Sequence, residues 1–227
     1  MPALQVPRQA EALQRWIAGP VGRAFLLEAQ SAWMERGAEG AGGQVWLRLL
    51  PALDWPVPEP GARFSDVWTL APRRGRWGGD WCADLHALPL ATASVSRLDL
   101  RFVLESVPEP SWLLAECARV LRPDGRLLVF GVNPWSAVRL RWAKHGVRAL
   151  ARARIVHGLR AEGLEVLGQR TLGPRWRPAG GELSPRPARL EVGRVAWAVL
   201  AARRDAGLTP LRRPHALWGS APGVPAA

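Results

Sequence analysis

Asp84-Leu-His-Ala-Leu-Pro-Leu90, then Ser94 to Glu105, then Pro110-Ser-Trp-Leu-Leu-Ala-Glu-Cys-Ala-Arg-Val-Leu-Arg-Pro-Asp-Gly-Arg-Leu-Leu-Val-Phe130, is the stretch that decides the fold. Its period shifts from strand to loop to strand to helix to turn to strand, as an open α/β sheet requires. Val95 to Val103 reads as a strand in which Arg97, Asp99 and Arg101 alternate with Leu98, Leu100 and Phe102. Ser111 is placed to cap a helix over 112–121, whose apolar face carries Leu113, Leu114, Cys117, Val120 and Leu121. Pro123-Asp124-Gly125 turns the chain into a central strand over 126–132.

Working outward, Trp81 to Ala83 is a brief strand ending at Asp84, and Arg73 to Gly79 a basic, glycine-rich loop. Asp66 to Leu70 reads as a short strand and Gln44 to Leu50 as a buried one, halted by Pro51. Two short helices are expected over 9–17 and 22–36, split by Gly19-Pro20, with a glycine loop over 37–43. Beyond the central strand, Ser136 to Glu162 is helical in pattern. Leu164 to Leu167 and Arg194 to Ala202 are strands flanking a Pro/Arg-rich segment, 174–189.

Composition narrows the class. With 227 residues, 48% apolar and 22% charged, the chain suits a globular domain with one core. The longest uncharged apolar run, Val195 to Ala202, is far short of the roughly 20 residues of a spanning helix. Arg8, Glu11 and Arg15 interrupt the first residues, unlike a signal peptide, so a cytoplasmic location is expected. Cys82 and Cys117 form no metal pattern and read as small buried apolar residues. Charge is lopsided: residues 1–121 hold 12 arginines against 13 acids (net −1), and residues 122–213 hold 19 cations against 6 acids (net +13).

Asp84 falls at the carboxyl end of a strand, where ligands sit in a parallel sheet. Its carboxylate can accept from an exocyclic amine and the Leu85 amide can donate to a ring nitrogen, which together would read adenine. Equally, Asp84 can cap the turn that follows it. No catalytic dyad or nucleophile motif stands out, and the four histidines are scattered. Arg141, Lys144, Arg148 and Arg152 form one basic stripe at helical spacing. It reads as a solvated face, or as a contact for an anionic acceptor or for RNA through the basic C-terminal half.

Asp84-x-x-x-Leu88-Pro89, Val103-Leu104-Glu105, Val107-Pro-Glu-Pro110 and Ala115-Glu-x-x-Arg-Val-Leu-Arg-Pro-x-Gly125-Arg-Leu resemble the class I S-adenosylmethionine-dependent methyltransferases of small-molecule type. Trp16-x-x-Gly-Pro-x-Gly22, Gly131-x-Asn-Pro-Trp135 and Gly207-Leu-Thr-Pro-Leu-Arg212 resemble an uncharacterised bacterial branch of that family. The resemblance implies a Rossmann-like α/β fold: a seven-stranded, mostly parallel sheet with helices on both faces. It implies one domain over 1–212, with an N-terminal helical segment at about 8–36 and a flexible tail over 213–227. S-adenosylmethionine is the implied cofactor, Asp84 and Leu85 its implied adenine contacts, and Leu100 and Arg101 the lining of its methionine part. A small-molecule methyl acceptor is the implied partner.

The cofactor loop is degenerate. Gln44-Val-Trp-Leu-Arg-Leu-Leu-Pro-Ala52 puts bulk and a proline where the family has glycines, and 66–72 ends without an acid for the ribose. Ser96 and Phe102 stand where relatives often carry Asp and His. Two readings follow: a methyltransferase with weakened cofactor binding, or a pseudo-methyltransferase that keeps the fold as a binding or scaffold module.

Overall fold

The computed structural model describes Gly19 and residues 43–57, 64–73, 75–136, 149–175 and 194–204. The two N-terminal helices, most of the 37–43 loop, the basic stripe up to Arg148, most of the Pro/Arg-rich segment and the tail lie outside these residues.

Among the described residues, eight strands form one sheet: β1 (Gly43–Leu49), β2 (Phe64–Arg73), β3 (Arg76–Gly79), β4 (Ala83–Asp84), β5 (Val95–Arg101), β6 (Leu121–Val132), β7 (Leu164–Arg175) and β8 (Arg194–Arg203). Their order is β4-β3-β2-β1-β5-β6-β8-β7. Strands β2, β1, β5 and β6 run parallel, whereas β3, β4, β8 and β7 join through antiparallel pairings. The sheet is therefore mixed, with eight strands, and not the mostly parallel seven that the resemblance implied. The extra strand comes from the stretch read as a loop. Leu70 pairs with Gly79 and Arg73 with Arg76, so the glycine-rich run folds back on β2 as a hairpin. Gly75, at φ 78°, makes that turn, and the fully buried Trp77 anchors the returning strand. The strand expected at 81–83 shrinks to β4.

Two helices are described, α1 (Pro110–Val120) and α2 (Arg152–Ala161). Leu113, Leu114 and Cys117 of α1 and Ile155 and Leu159 of α2 share one core with Leu47, Leu49, Leu98, Leu100, Leu127 and Val129. Both helices thus lie on the same face, where each buried leucine contributes about 2 kcal/mol. Ser111 does not cap α1. Pro110 takes the first helical position, where its missing N–H costs nothing, and the Ser111 hydroxyl donates to Glu109 instead. Residues 149–151 are not helical, so the helix read over 136–162 begins, among described residues, at Arg152. Cys117 is buried, as read, but Cys82 is exposed.

The Ala115 to Gly125 motif has a mechanical meaning. Arg119 donates through Nη2 to the Leu88 carbonyl (3.0 Å) and through Nη1 to the Leu90 carbonyl (2.9 Å), while Glu116 grips its Nε (2.8 Å) and accepts from the Leu88 amide. One Arg–Glu pair thereby fastens the 88–92 loop to α1. Arg119→Ala should cost about 2 kcal/mol in urea unfolding, and Arg119→Lys should not restore it, because an ammonium cannot span both carbonyls and the carboxylate.

Candidate functional site

The chain lays β1, adds β2 on one side, then crosses to place β5 on the other side of β1. The strand order reverses there, and the carboxyl ends of β1 and β5 define the crevice where such sheets bind ligands.

On the β1 side the crevice is crowded. Leu50 extends the ladder by donating to the Leu70 carbonyl (2.8 Å), and the chain then turns through Pro51 to Trp55. Leu50 and Trp55 are buried, and the Trp55 ring meets Phe102 edge-on at 5.9 Å, with Phe130 behind it at 5.9 Å. Phe102 has φ 52°, a left-handed conformation that costs a bulky residue about 1–3 kcal/mol. The break in alternation turns both Arg101 and Phe102 toward the sheet face opposite the helices. No glycine cradle lies at the end of β1, and Ala71-Pro72-Arg73 brings no acid to the end of β2.

On the β5–β6 side, buried polar groups remain uncommitted. Arg97, Asp99 and Arg101 all project from β5 on that second face, and all are buried. Asp99 accepts from Arg97 Nε (3.0 Å) and Arg101 Nη2 (2.6 Å). Burial alone would raise the Asp99 carboxyl, but the charges of Arg101 and Arg97 outweigh it and hold it below its ordinary value. Arg97 stacks over Trp46 (4.4 Å) and Arg101 over Phe130 (5.7 Å). One carboxylate does not satisfy two guanidinium groups: Arg97 Nη2 and Arg101 Nε and Nη1 are buried without partners. Glu105, in the single turn Leu104–Ser106, accepts from the Val132 amide through Oε1 (2.6 Å) and leaves Oε2 buried and unpartnered. Burial pushes this carboxyl up to about 7, against the opposing donation from Val132.

The four residues singled out in the sequence do not converge. Asp84 stands on β4, four strand spacings from β5, about 19 Å at the usual interval. Its side chain is 64% exposed and its Oδ1 accepts from the His86 amide and ring Nδ1, both at 2.9 Å. Donation from that amide, then from the ring, holds the Asp84 carboxyl below its ordinary value. The turn-capping role is thus filled, with Oδ2 left over. Leu85 and Leu100 are buried in the helix-side core. Arg101 alone combines burial with unpartnered donors. Ser96 lies at the start of β5, where it accepts from the Gln44 amide (3.1 Å). Asp99 and Glu105 were missed as candidates. The odd charges in the strand were the signal for Asp99, and Glu105 closed the Val103-Leu104-Glu105 motif, which was read only for its likeness and not for a role. Among the described residues no group of His, Cys, Asp and Glu could hold a metal ion, and no helix is long and apolar enough to cross a membrane.

The crevice's charged end holds buried guanidinium donors, which suit a carboxylate, and a buried carboxylate oxygen, which suits an ammonium. Its other end lacks the backbone cradle that a nucleoside uses.

Comparisons with known proteins agree with this frame. Residues 67–129 match the family model described as a methyltransferase domain. A malonyl-[acyl-carrier protein] O-methyltransferase of Laribacter hongkongensis is 39% identical over 66 residues, 29% of this chain and 22% of that protein. An uncharacterized 37.1 kDa protein in transposon Tn4556 of Streptomyces fradiae is 42% identical over 57 residues, 25% of this chain and 16% of that one. These matches therefore span about a fifth of the relatives' length. A S-adenosylmethionine-dependent methyltransferase structure from Aquifex aeolicus superposes with a TM-score of 0.56 at 10% identity, covering 86% of this chain and 98% of that one. Residues 67–129 thus match a methyltransferase domain, and the sheet that holds them has the fold of a known S-adenosylmethionine-dependent methyltransferase.

Proposed function

We propose that the chain transfers the methyl group of S-adenosylmethionine to a small-molecule acceptor. The observation that carries this reading is the set of buried, unpartnered polar atoms at the carboxyl ends of β5 and β6, inside the segment that matches the methyltransferase domain. When bound, the cofactor supplies an electrophilic methyl group on a sulfonium. Arg101 would hold the cofactor's carboxylate through Nε and Nη1, and the ionised Glu105 would face its ammonium. Leu100 fixes the end of β5 that presents Arg101, while Asp84 Oδ2 and the Leu85 amide are assigned to adenine. Little else is required of the residues, since alignment of acceptor and methyl group provides most of the rate.

The bulk of Leu50, Pro51 and Trp55 favours a second reading, a pseudo-methyltransferase that binds or scaffolds without cofactor. Calorimetric titration of the full chain with S-adenosylhomocysteine separates the two. The enzyme reading expects saturation at high micromolar to millimolar ligand, weakened about tenfold or more by Arg101→Met and by Asp84→Ala. Asp84 is exposed, so its variant stays folded. A flat response at millimolar ligand overturns the enzyme reading in favour of the scaffold.

A further inference from the structure

The turn that follows β4 is pinned at both ends. The Ala87 amide donates back to the Asp84 carbonyl (3.4 Å), and Leu88 is fastened to α1 by Glu116 and Arg119. His86 stands inside this turn with two contacts of its own. Its ring meets Trp112, in the first turn of α1, edge-on at 4.8 Å and 69°. Its Nδ1 lies 2.9 Å from Asp84 Oδ1, the same oxygen that accepts from the His86 amide at 2.9 Å.

Those contacts fix a tautomer and a carboxylate together. The Asp84 carboxyl, held below its ordinary value by these donations, is ionised at neutral pH and can only accept. The ring nitrogen facing it therefore carries the proton, whether the imidazole is neutral or cationic. Both donors of His86 converge on Oδ1, so the carboxylate is set in rotation and Oδ2 is left for a ligand. An exposed aspartate would otherwise turn freely, and a ligand that needs one orientation would have to order it. A 6-aminopurine presents a donor at its exocyclic nitrogen beside an acceptor at N1, and a 6-oxopurine presents the reverse at both atoms. An oriented acceptor tells the two apart, whereas a rotating one does so poorly.

We propose that His86 is a positioning residue for cofactor recognition: its Nδ1–H locks the Asp84 carboxylate so that Oδ2 selects a 6-aminopurine over a 6-oxopurine. The role rests on the reading of Asp84 as the adenine contact.

Calorimetric titration of the full chain with S-adenosylhomocysteine and S-inosylhomocysteine measures the selectivity. The wild type should prefer the adenosyl ligand by about tenfold or more, and His86→Leu should reduce the preference to about twofold. The His86 side chain is 44% exposed, so its substitution leaves the core alone. Asparagine carries its amide nitrogen as far from the backbone as histidine carries Nδ1, and glutamine carries it one bond farther. His86→Asn should therefore restore the preference and His86→Gln should not. Because asparagine has no ring to set against Trp112, its rescue separates the hydrogen bond from the ring contact. In the unliganded chain, two-bond proton–nitrogen correlation spectra at alkaline pH should show His86 as the Nδ1–H tautomer, and Asp84→Ala should convert it to Nε2–H.

Equal binding of both ligands by the wild type, full preference in His86→Leu, failure of His86→Asn to rescue, or an Nε2–H tautomer in the unliganded wild type would each overturn the role of His86 and leave the methyltransferase reading standing. A flat response to both ligands at millimolar concentration would overturn that reading and this role together.

Discussion

Asp99→Asn should cost about 3–5 kcal/mol, enough to unfold a domain whose whole stability is of order 5–15 kcal/mol. The substitution keeps the shape of the side chain and removes only its charge, so the loss measures electrostatics and not packing. Arg97 and Arg101 would then sit at 4% and 0% exposure with no counter-charge. Urea unfolding at pH 7 checks this, with soluble yield as the readout if the variant does not fold. The wild-type pH dependence has a definite sign. The folded Asp99 carboxyl holds its proton less tightly than the same group in the unfolded chain. Its contribution is therefore fully present above the ordinary carboxylate range near pH 3.9 and is lost as pH falls through the lower folded value.

A charge row like this one is weak evidence for stability as such. Replacing all three members together, as Arg97→Met, Asp99→Leu and Arg101→Met, should leave the domain as stable as the wild type or up to about 4 kcal/mol more so, because no charge then remains to be desolvated. If the row persists for ligand binding, the triple variant folds but no longer responds to S-adenosylhomocysteine. Stability and binding would part company, which a purely structural role does not allow.

The same row shows where the sequence was readable and where it was not. The motif from Ala115 to Gly125 announced its helix and the strand after it because packing, loop clamp and turn are local. Arg97-Leu-Asp-Leu-Arg101 announced a strand by its alternation. Alternation ordinarily puts the polar set in water, though, and here β5 is buried along both faces. Nothing within a strand tells which of its neighbours will cover it. The Arg73 to Gly79 hairpin was hidden for a related reason: its strand identity rests on pairing with β2 and on a buried Trp77, both nonlocal, while its glycines locally suggest a loop. Asp84 could be placed at a strand end from sequence alone. Its distance from Arg101 follows only once β3 is inserted between β2 and β4.

Glu105→Gln should stabilise the domain by about 3 kcal/mol at pH 8 and leave it nearly unchanged at pH 4. In the folded chain burial lifts this carboxyl from about 4.5 to about 7. The folded state therefore holds its proton more tightly than the unfolded state does. Between those two values the folded state carries the proton and the unfolded state has lost it, so stability falls as pH rises, at about 1.4 kcal/mol for each pH step. Above pH 7 the full penalty of an ionised, buried carboxylate is present. Glutamine carries no charge and its carbonyl can still accept from the Val132 amide, which makes the substitution remove the penalty and little else. Thermal unfolding of both proteins between pH 4 and 9 should give curves that coincide at the acid end and separate steadily up to pH 7, with the variant higher. Parallel curves would mean that water reaches Oε2 and that the group titrates as an ordinary glutamate. A ligand ammonium facing Glu105 would stabilise the ionised form. Saturating S-adenosylhomocysteine should therefore shrink the gap at pH 8, tying the stability profile to occupancy of the crevice.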